Sequence, residues 1–259
     1  MEILLLTASI NAKLASPIYT HLTDTEERLA QYKNTLKRYI EDSSFDKLVF
    51  CENTGFNFSK DYLIDLAIKN NKQIEFLTFI SDIKAVNKYG KGYGEGECLK
   101  YAIENSEFIN NNKVFYKVTG RLFVENINLI IKKHSNINNC FYTDGWNSTS
   151  VNTFFFKCDA SFFKTYLENS YLEVNDSQGR FLEFIYFDIL IKQRIRSFRC
   201  LPFISGNSGS TGNAYTVESE YRIKKIYNFF GFYSLNIGIY KILRILKKIK
   251  SIMFNSKRL

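Results

Sequence analysis

The sequence predicts an α/β protein with a mostly parallel central sheet flanked by helices. Three observations carry this. Short apolar runs alternate with helix-period segments through the first half. Each strand-like run gives way to polar residues at its carboxyl end. The 259 residues are also enough for one sizeable α/β unit, or one unit with an appendage.

Residues 2–7 read as a buried first strand. The run is too short for a signal peptide and lacks a basic leader and a small-residue cleavage site, so a cytoplasmic protein is expected. A helix is expected over 24–41, with Leu29, Tyr32, Leu36 and Ile40 on one face and a capping box of Thr23 and Glu26. Residues 47–51 form the second strand, which leads into Glu52-Asn53-Thr54-Gly55, and 60–70 a helix. A third strand is expected over 74–79, then a glycine loop over 88–97, a helix over 97–109 and a strand over 114–118. The second half is less regular, with strands at 140–143 and 153–157, helices at 160–167 and 181–194, and a polar loop at 205–213. No solenoid-period repeat is present.

Composition narrows the function classes. Only Pro17 and Pro202 are present, so no rigid proline-rich linker divides the chain. The five cysteines show no C-x-x-C pairing and read as reduced thiols, and two distant histidines argue against a histidine-rich zinc site. The net charge of +9 is local: Tyr221 to Leu259 holds ten basic residues and no acidic one, so residues 1–220 sum to −1. A nucleic-acid-binding body is disfavoured. In the tail, Ile239, Ile242, Leu243, Leu246, Ile249 and Met253 recur at helical spacing among lysines and arginines. A basic amphipathic helix lying on an anionic membrane surface is expected, the alternative being a helix packed on its own domain or a partner. Its longest uncharged run, residues 226–240, is shorter than the roughly 20 residues that span a bilayer.

The densest motif is Lys88-Tyr-Gly-Lys-Gly-Tyr-Gly-Glu-Gly-Glu97. Glycines at 90, 92, 94 and 96 would let backbone approach a ligand, and the following helix start would favour a diphosphate. The spacing is neither a Rossmann fingerprint nor a P-loop. The other reading is a plain connector. In parallel sheets ligands bind beyond the carboxyl ends of the strands, where Thr7, Glu52, Asn53, Lys117, Thr119 and Arg121 cluster. With Lys91, Gly92, Tyr93 and Gly94 they make up the expected donor-binding set. Glu52 and Asn53 would hold the base or ribose and Tyr93 would stack on a ring, or each is a turn residue.

The first strand, the helix with Arg28 and Gln31-Tyr32, Phe50-Cys-Glu-Asn-Thr54, the glycine block, Tyr116-Lys-Val-Thr-Gly-Arg121 and the late Ser-Gly-Asn-Ser-Gly-Ser-Thr-Gly loop together resemble bacterial surface-polysaccharide glycosyltransferases. The resemblance covers roughly residues 2–215. It implies a GT-A-like fold with a nucleotide-sugar half over 1–125, an acceptor half over 126–220, and the membrane-association tail over 221–259. The implied activity is transfer of a sugar from a nucleotide-diphosphate donor to a lipid-linked or growing capsule, O-antigen or lipooligosaccharide glycan. Such enzymes usually carry an Asp-x-Asp metal motif where this chain has Thr119-Gly120-Arg121. Metal-independent catalysis without a cofactor is therefore expected, with Lys117 or Arg121 neutralising the diphosphate and Asp144 as the residue that could still supply a metal ligand. The resemblance also places the catalytic base at the start of a late helix, which makes Glu183 the first candidate, ahead of Asp144, Asp159 and Asp188. Its apolar neighbours would raise its pKa. Two alternatives stay open: a non-catalytic nucleotide-fold protein of polysaccharide assembly, and a sugar nucleotidyltransferase, which lacks here a glycine-rich loop after the first strand.

Overall fold

The computed structural model describes residues 1–14, 22–111, 114–143, 149–193, 195–207, 215, 218–230, 232–233 and 235. The first half runs β1 (Ile3–Ala8), α1 (Thr25–Asp42), β2 (Lys47–Glu52), α2 (Asp61–Lys69), β3 (Gln73–Thr78), α3 (Ile83–Tyr89), α4 (Lys91–Asn105), α5 (Glu107–Asn111) and β4 (Val114–Thr119). There follow β5 (Phe123–Val124), α6 (Ile127–His134), β6 (Cys140–Phe141), β7 (Phe155–Asp159), α7 (Ala160–Tyr166), α8 (Leu182–Leu190), β8 (Arg196–Ser197), β9 (Ile204–Ser205) and α9 (Glu218–Phe229). Two 3-10 turns, Ser170–Glu173 and Asp176–Gln178, separate α7 from α8.

Seven strands form one sheet in the order β3-β2-β1-β4-β7-β6-β8. The pairs β1–β2, β2–β3, β1–β4 and β6–β8 are parallel, while β7 runs antiparallel to both β4 and β6. This is the α/β class that the sequence predicts. Strand order reverses between β1 and β4, which opens a crevice beyond their carboxyl ends. Register keeps those ends level, since Thr7 pairs with both Cys51 and Thr119, and Glu52 with Ala8 and Thr78. The sheet crosses the expected boundary near residue 125, because β7 pairs with β4.

The period-2 geometry of β1 explains its unbroken apolar run. Leu4 and Leu6 face a core shared with Tyr32, Leu36, Tyr39 and Ile40 of α1. Ile3 and Leu5 face the opposite core, with Leu99, Ala102 and Ile103 of α4. All five cysteines are buried free thiols.

Three expectations are corrected. The N-cap of α1 is Asp24, which accepts the Glu27 amide at 2.7 Å; no Thr23–Glu26 box forms. The glycine block is not a loop: Gly92, Gly94 and Gly96 lie inside α4, and Gly90 alone joins it to α3. The expected helix 97–109 is broken at Ser106, whose hydroxyl donates to Glu75 at 2.6 Å and accepts the Ile109 amide. Residues 208–213 of the late polar loop and residues 236–259 of the tail lie outside the described residues.

Candidate active site

A cleft opens at the crevice between β1 and β4. Thr7 and Ala8 end β1 there, Asn53 and Thr54 follow β2, and Ser81 and Ile83 follow β3. Thr119 and Arg121 come from the end of β4, and Lys91, Gly94, Glu95 and Cys98 from α4. Arg28 and Tyr32 of α1 close one side, with Ser9, Asn11 and Ala12 from the chain after β1. Of the sequence-predicted set, Thr7, Asn53, Lys91, Gly94, Thr119 and Arg121 line this cleft.

Arg28 and Arg121 give the cleft its positive character. Both are more than nine-tenths buried, and their guanidinium carbons stand 6.0 and 5.8 Å from the Tyr32 ring centre. Arg28 donates to the carbonyls of Ser9 and Leu22 and, at 3.4 Å, to the Tyr32 hydroxyl. Burial lowers its pKa, the Tyr32 hydroxyl raises it, repulsion from Arg121 lowers it, and the Glu52 charge raises it slightly. Among the described residues Arg121 donates to Gln31 Oε1 at 3.2 Å, and its Nε has no partner there. Neither guanidinium pairs with a carboxylate among the described residues. Uncompensated buried cations are unfavourable by several kcal/mol each, which favours an anionic ligand between them.

Lys117 is placed differently from the expectation. It shares a face with Phe115 on β4, points beneath α4 and is fully buried. Its three hydrogens go to Glu95 Oε1, to Thr119 Oγ1 at 3.2 Å and to the Thr153 carbonyl at 2.7 Å. It does not line the cleft and has no donor left for a phosphate. Glu183 also lies off the cleft wall, in the first turn of α8, where its Oε1 accepts the Thr153 hydroxyl at 3.1 Å. Burial raises its pKa, and the nearby Glu95 charge raises it further. The expected upward shift is therefore present, from desolvation first.

The start of α4 is filled from within the chain. Asp176 accepts the amides of Lys91 and Gly92, the latter at 3.3 Å. A diphosphate at those amides would have to displace a buried carboxylate, so the expected anion site at this helix start is corrected. Gly90 adopts φ +110°, and a Cβ there would overlap the Asp176 carboxylate. Gly92 packs against Val174, Asp176 and Leu182, and Gly96 against Tyr171. Tyr93 faces away from the cleft, stacked on Tyr89 at 5.6 Å and edge-on to Tyr171 at 4.9 Å. Gly92 and Tyr93 therefore stand outside the cleft.

Glu52 is an organiser of the cleft's rim. Fully buried, it accepts the amides of Ile10, Thr54 and Phe56 at 2.9–3.0 Å, and the Thr54 hydroxyl. With those bonds made, it faces the loops rather than the cleft. Asn53 donates to the Gly94 carbonyl at 3.1 Å, and its Oδ1 has no partner among the described residues. Of the rival carboxylates, Asp159 caps α7 through the Ser161 and Phe162 amides, and Asp188 pairs with Arg180 at 3.3 Å. Asp144 lies outside the described residues. Among the described residues no cluster of three or more His, Cys, Asp or Glu could hold a metal ion. At the end of β4 the groups on offer are a hydroxyl already bonded to Lys117 and a guanidinium, a donor set that does not fit a divalent cation. No helix among the described residues is long and apolar enough to cross a membrane.

Arg28 carries a signal that helix periodicity could have found. It continues the inward stripe of Tyr32, Leu36 and Ile40 at four-residue spacing, so a cation on that face had to be buried. Asp176 has no such local signal, because it meets α4 across more than 80 residues of chain.

No protein-family model and no curated protein sequence matches the chain. Among solved structures, 32 chains are similar to it. One is a cytidylyltransferase from Leptospira borgpetersenii serovar Hardjo-bovis (strain JB197), at 12% identity and a TM-score of 0.41 over 97% of this chain and 96% of that one.

Proposed function

We propose that the chain is a glycosyltransferase that takes a sugar from a nucleoside-diphosphate donor and passes it to a lipid-linked or growing surface-glycan acceptor. One observation carries this reading: two buried guanidinium groups without carboxylate partners among the described residues face a cleft at the carboxyl ends of β1, β2 and β4. A planar guanidinium matches paired phosphate oxygens, and charge-assisted bonds there would stabilise the departing diphosphate. Asn53 and Ser81, on the rim beyond β2 and β3, offer an amide and a hydroxyl to the nucleoside. Residues 221–259 would hold the enzyme beside a lipid-anchored acceptor through their basic charge.

Calorimetric titration with UDP, GDP and CDP, first in EDTA and then with Mn²⁺, tests the reading. One nucleotide is expected to bind in EDTA. Arg121→Ala should weaken it by roughly 10- to 100-fold, the equivalent of one charged hydrogen bond of about 1.5–3 kcal/mol. No binding under either condition overturns the reading. Pyrophosphate release from CTP or UTP with a sugar phosphate would move the chain to the nucleotidyltransferases.

A further inference from the structure

Two carboxylates compete for the role of base, and their surroundings differ. Glu95 stands in the cleft wall with 23% of its side chain exposed, directly above the fully buried Lys117. Lys117 donates to Oε1 of Glu95. Glu183 is off the cleft wall and is joined to Lys117 through Thr153, whose carbonyl accepts from Lys117 and whose hydroxyl donates to Glu183. The chain Glu95–Lys117–Thr153–Glu183 therefore has one end in the cleft wall and the other on α8, off the cleft wall. Lys117 contacts the carboxylate at the cleft end directly.

We propose that Glu95 is the carboxylate that acts on the ligand in this cleft, with Lys117 as its positioning residue, and that Glu183 is a support behind them, off the cleft wall. This rests on the glycosyltransferase reading. In the transfer step the acceptor hydroxyl gives its proton to the Glu95 carboxylate as its oxygen bonds to the anomeric carbon. The bond from that carbon to the diphosphate oxygen breaks, and its electron pair leaves with the nucleoside diphosphate beside Arg121. Every charge and proton is accounted for within donor, acceptor and Glu95.

The charged and titratable groups around Glu95 are Lys117 beneath it, Lys91 on the same cleft wall, Glu183 and Tyr186 of α8, and Asp176 at the start of α4. Lys117 is the cation in contact with Glu95. The test uses the full chain with UDP-glucose, UDP-galactose, UDP-N-acetylglucosamine and GDP-mannose, reading release of nucleoside diphosphate to water or added glycan. Glu95→Gln keeps an oxygen for Lys117 and should lower release about 100-fold or more with nucleotide affinity unchanged within about threefold. Glu95→Asp, which keeps the carboxylate, should retain more activity than Glu95→Gln, and Glu183→Gln should lose less than about tenfold. Lys117→Met should lower release about tenfold or more with nucleotide affinity unchanged within about threefold. A Glu95→Gln protein with near wild-type release, or a Glu183→Gln protein as inactive as Glu95→Gln was expected to be, overturns the assignment alone. Wild-type protein that binds no nucleotide, or binds one and releases none, overturns the functional reading and this inference with it.

Discussion

Replacing Gly96 with alanine separates a packing role for the α4 glycines from a ligand-binding one. In a helix interior the change gains about 1 kcal/mol from propensity. Here the new methyl would overlap Cβ of Tyr171, with the Tyr171 Cγ at 2.9 Å and Cα at 3.4 Å. Both Cβ atoms are fixed to backbone, so no rotamer change relieves the contact. Either α4 or the 3-10 turn at Ser170–Glu173 must move. Overpacking costs about 1–3 kcal/mol, and the upper end applies where neither atom can rotate away. The balance is a loss of about 2 kcal/mol, or roughly 30-fold in the unfolding equilibrium. Urea denaturation followed by far-UV circular dichroism measures it as a lower midpoint at unchanged m-value. Gly94→Ala is the control, since its nearest neighbours would be Val86 Cγ2 at 3.2 Å and Asn53 Nδ2 at 3.5 Å, and it should change stability much less. In a Tyr171→Gly background, Gly96→Ala should become neutral or stabilising by up to about 1 kcal/mol. A wild-type midpoint for Gly96→Ala, or an undiminished loss in the Tyr171→Gly background, would refute the packing argument.

Three further outcomes are expected. Glu52→Gln places an amide group among the backbone donors of Ile10, Thr54 and Phe56, and should lower stability by about 1–3 kcal/mol; an unchanged melting temperature would contradict the rim-organising role. Burial lowers the pKa of His134, whose Nδ1 donates to the Ile130 carbonyl and whose Nε2 accepts the Arg199 amide, each at 2.9 Å. A depressed folded-state pKa means this stabilisation is present above the unfolded value of about 6.5 and is lost as pH falls through the folded value. Wild type should therefore lose stability relative to His134→Gln on acidification below about pH 6.5, and a difference independent of pH would disprove it. Changing Lys241, Arg244, Lys247 and Lys248 to glutamine should weaken binding to vesicles rich in anionic lipid by up to about a thousandfold, at about 1 kcal/mol per charge; equal wild-type binding to neutral and anionic vesicles would rule out electrostatic docking.

The strands were legible because burial on both faces requires apolar runs such as Ile3-Leu-Leu-Leu6 and Leu48-Val-Phe-Cys51. Their polar ends located the cleft to within a few residues, as Thr7, Asn53, Thr119 and Arg121 show. The glycine block misled because each helix-interior glycine costs about 1 kcal/mol, which makes a loop the natural reading. Helix α4 forms anyway, since bare backbone lets it approach Tyr171, Val174 and Asp176 closely. No local pattern reveals that benefit, because the partners lie some 75 to 85 residues later.

The sequence alone determined the α/β class, most of the strands that the sheet uses, and the polar residues that end them. Tertiary structure alone decided which charges face the cleft. Lys117 and Arg121 lie four residues apart, yet Lys117 points beneath α4 and binds Glu95 while Arg121 stands open to the cleft. Asp176 closes a helix start that the sequence left open, and Glu95 rather than Glu183 reaches the cleft wall. The reason is physical: pattern reports how often a chain must bury apolar surface, whereas the charge facing a ligand depends on side-chain direction and on partners brought together only when the chain has folded.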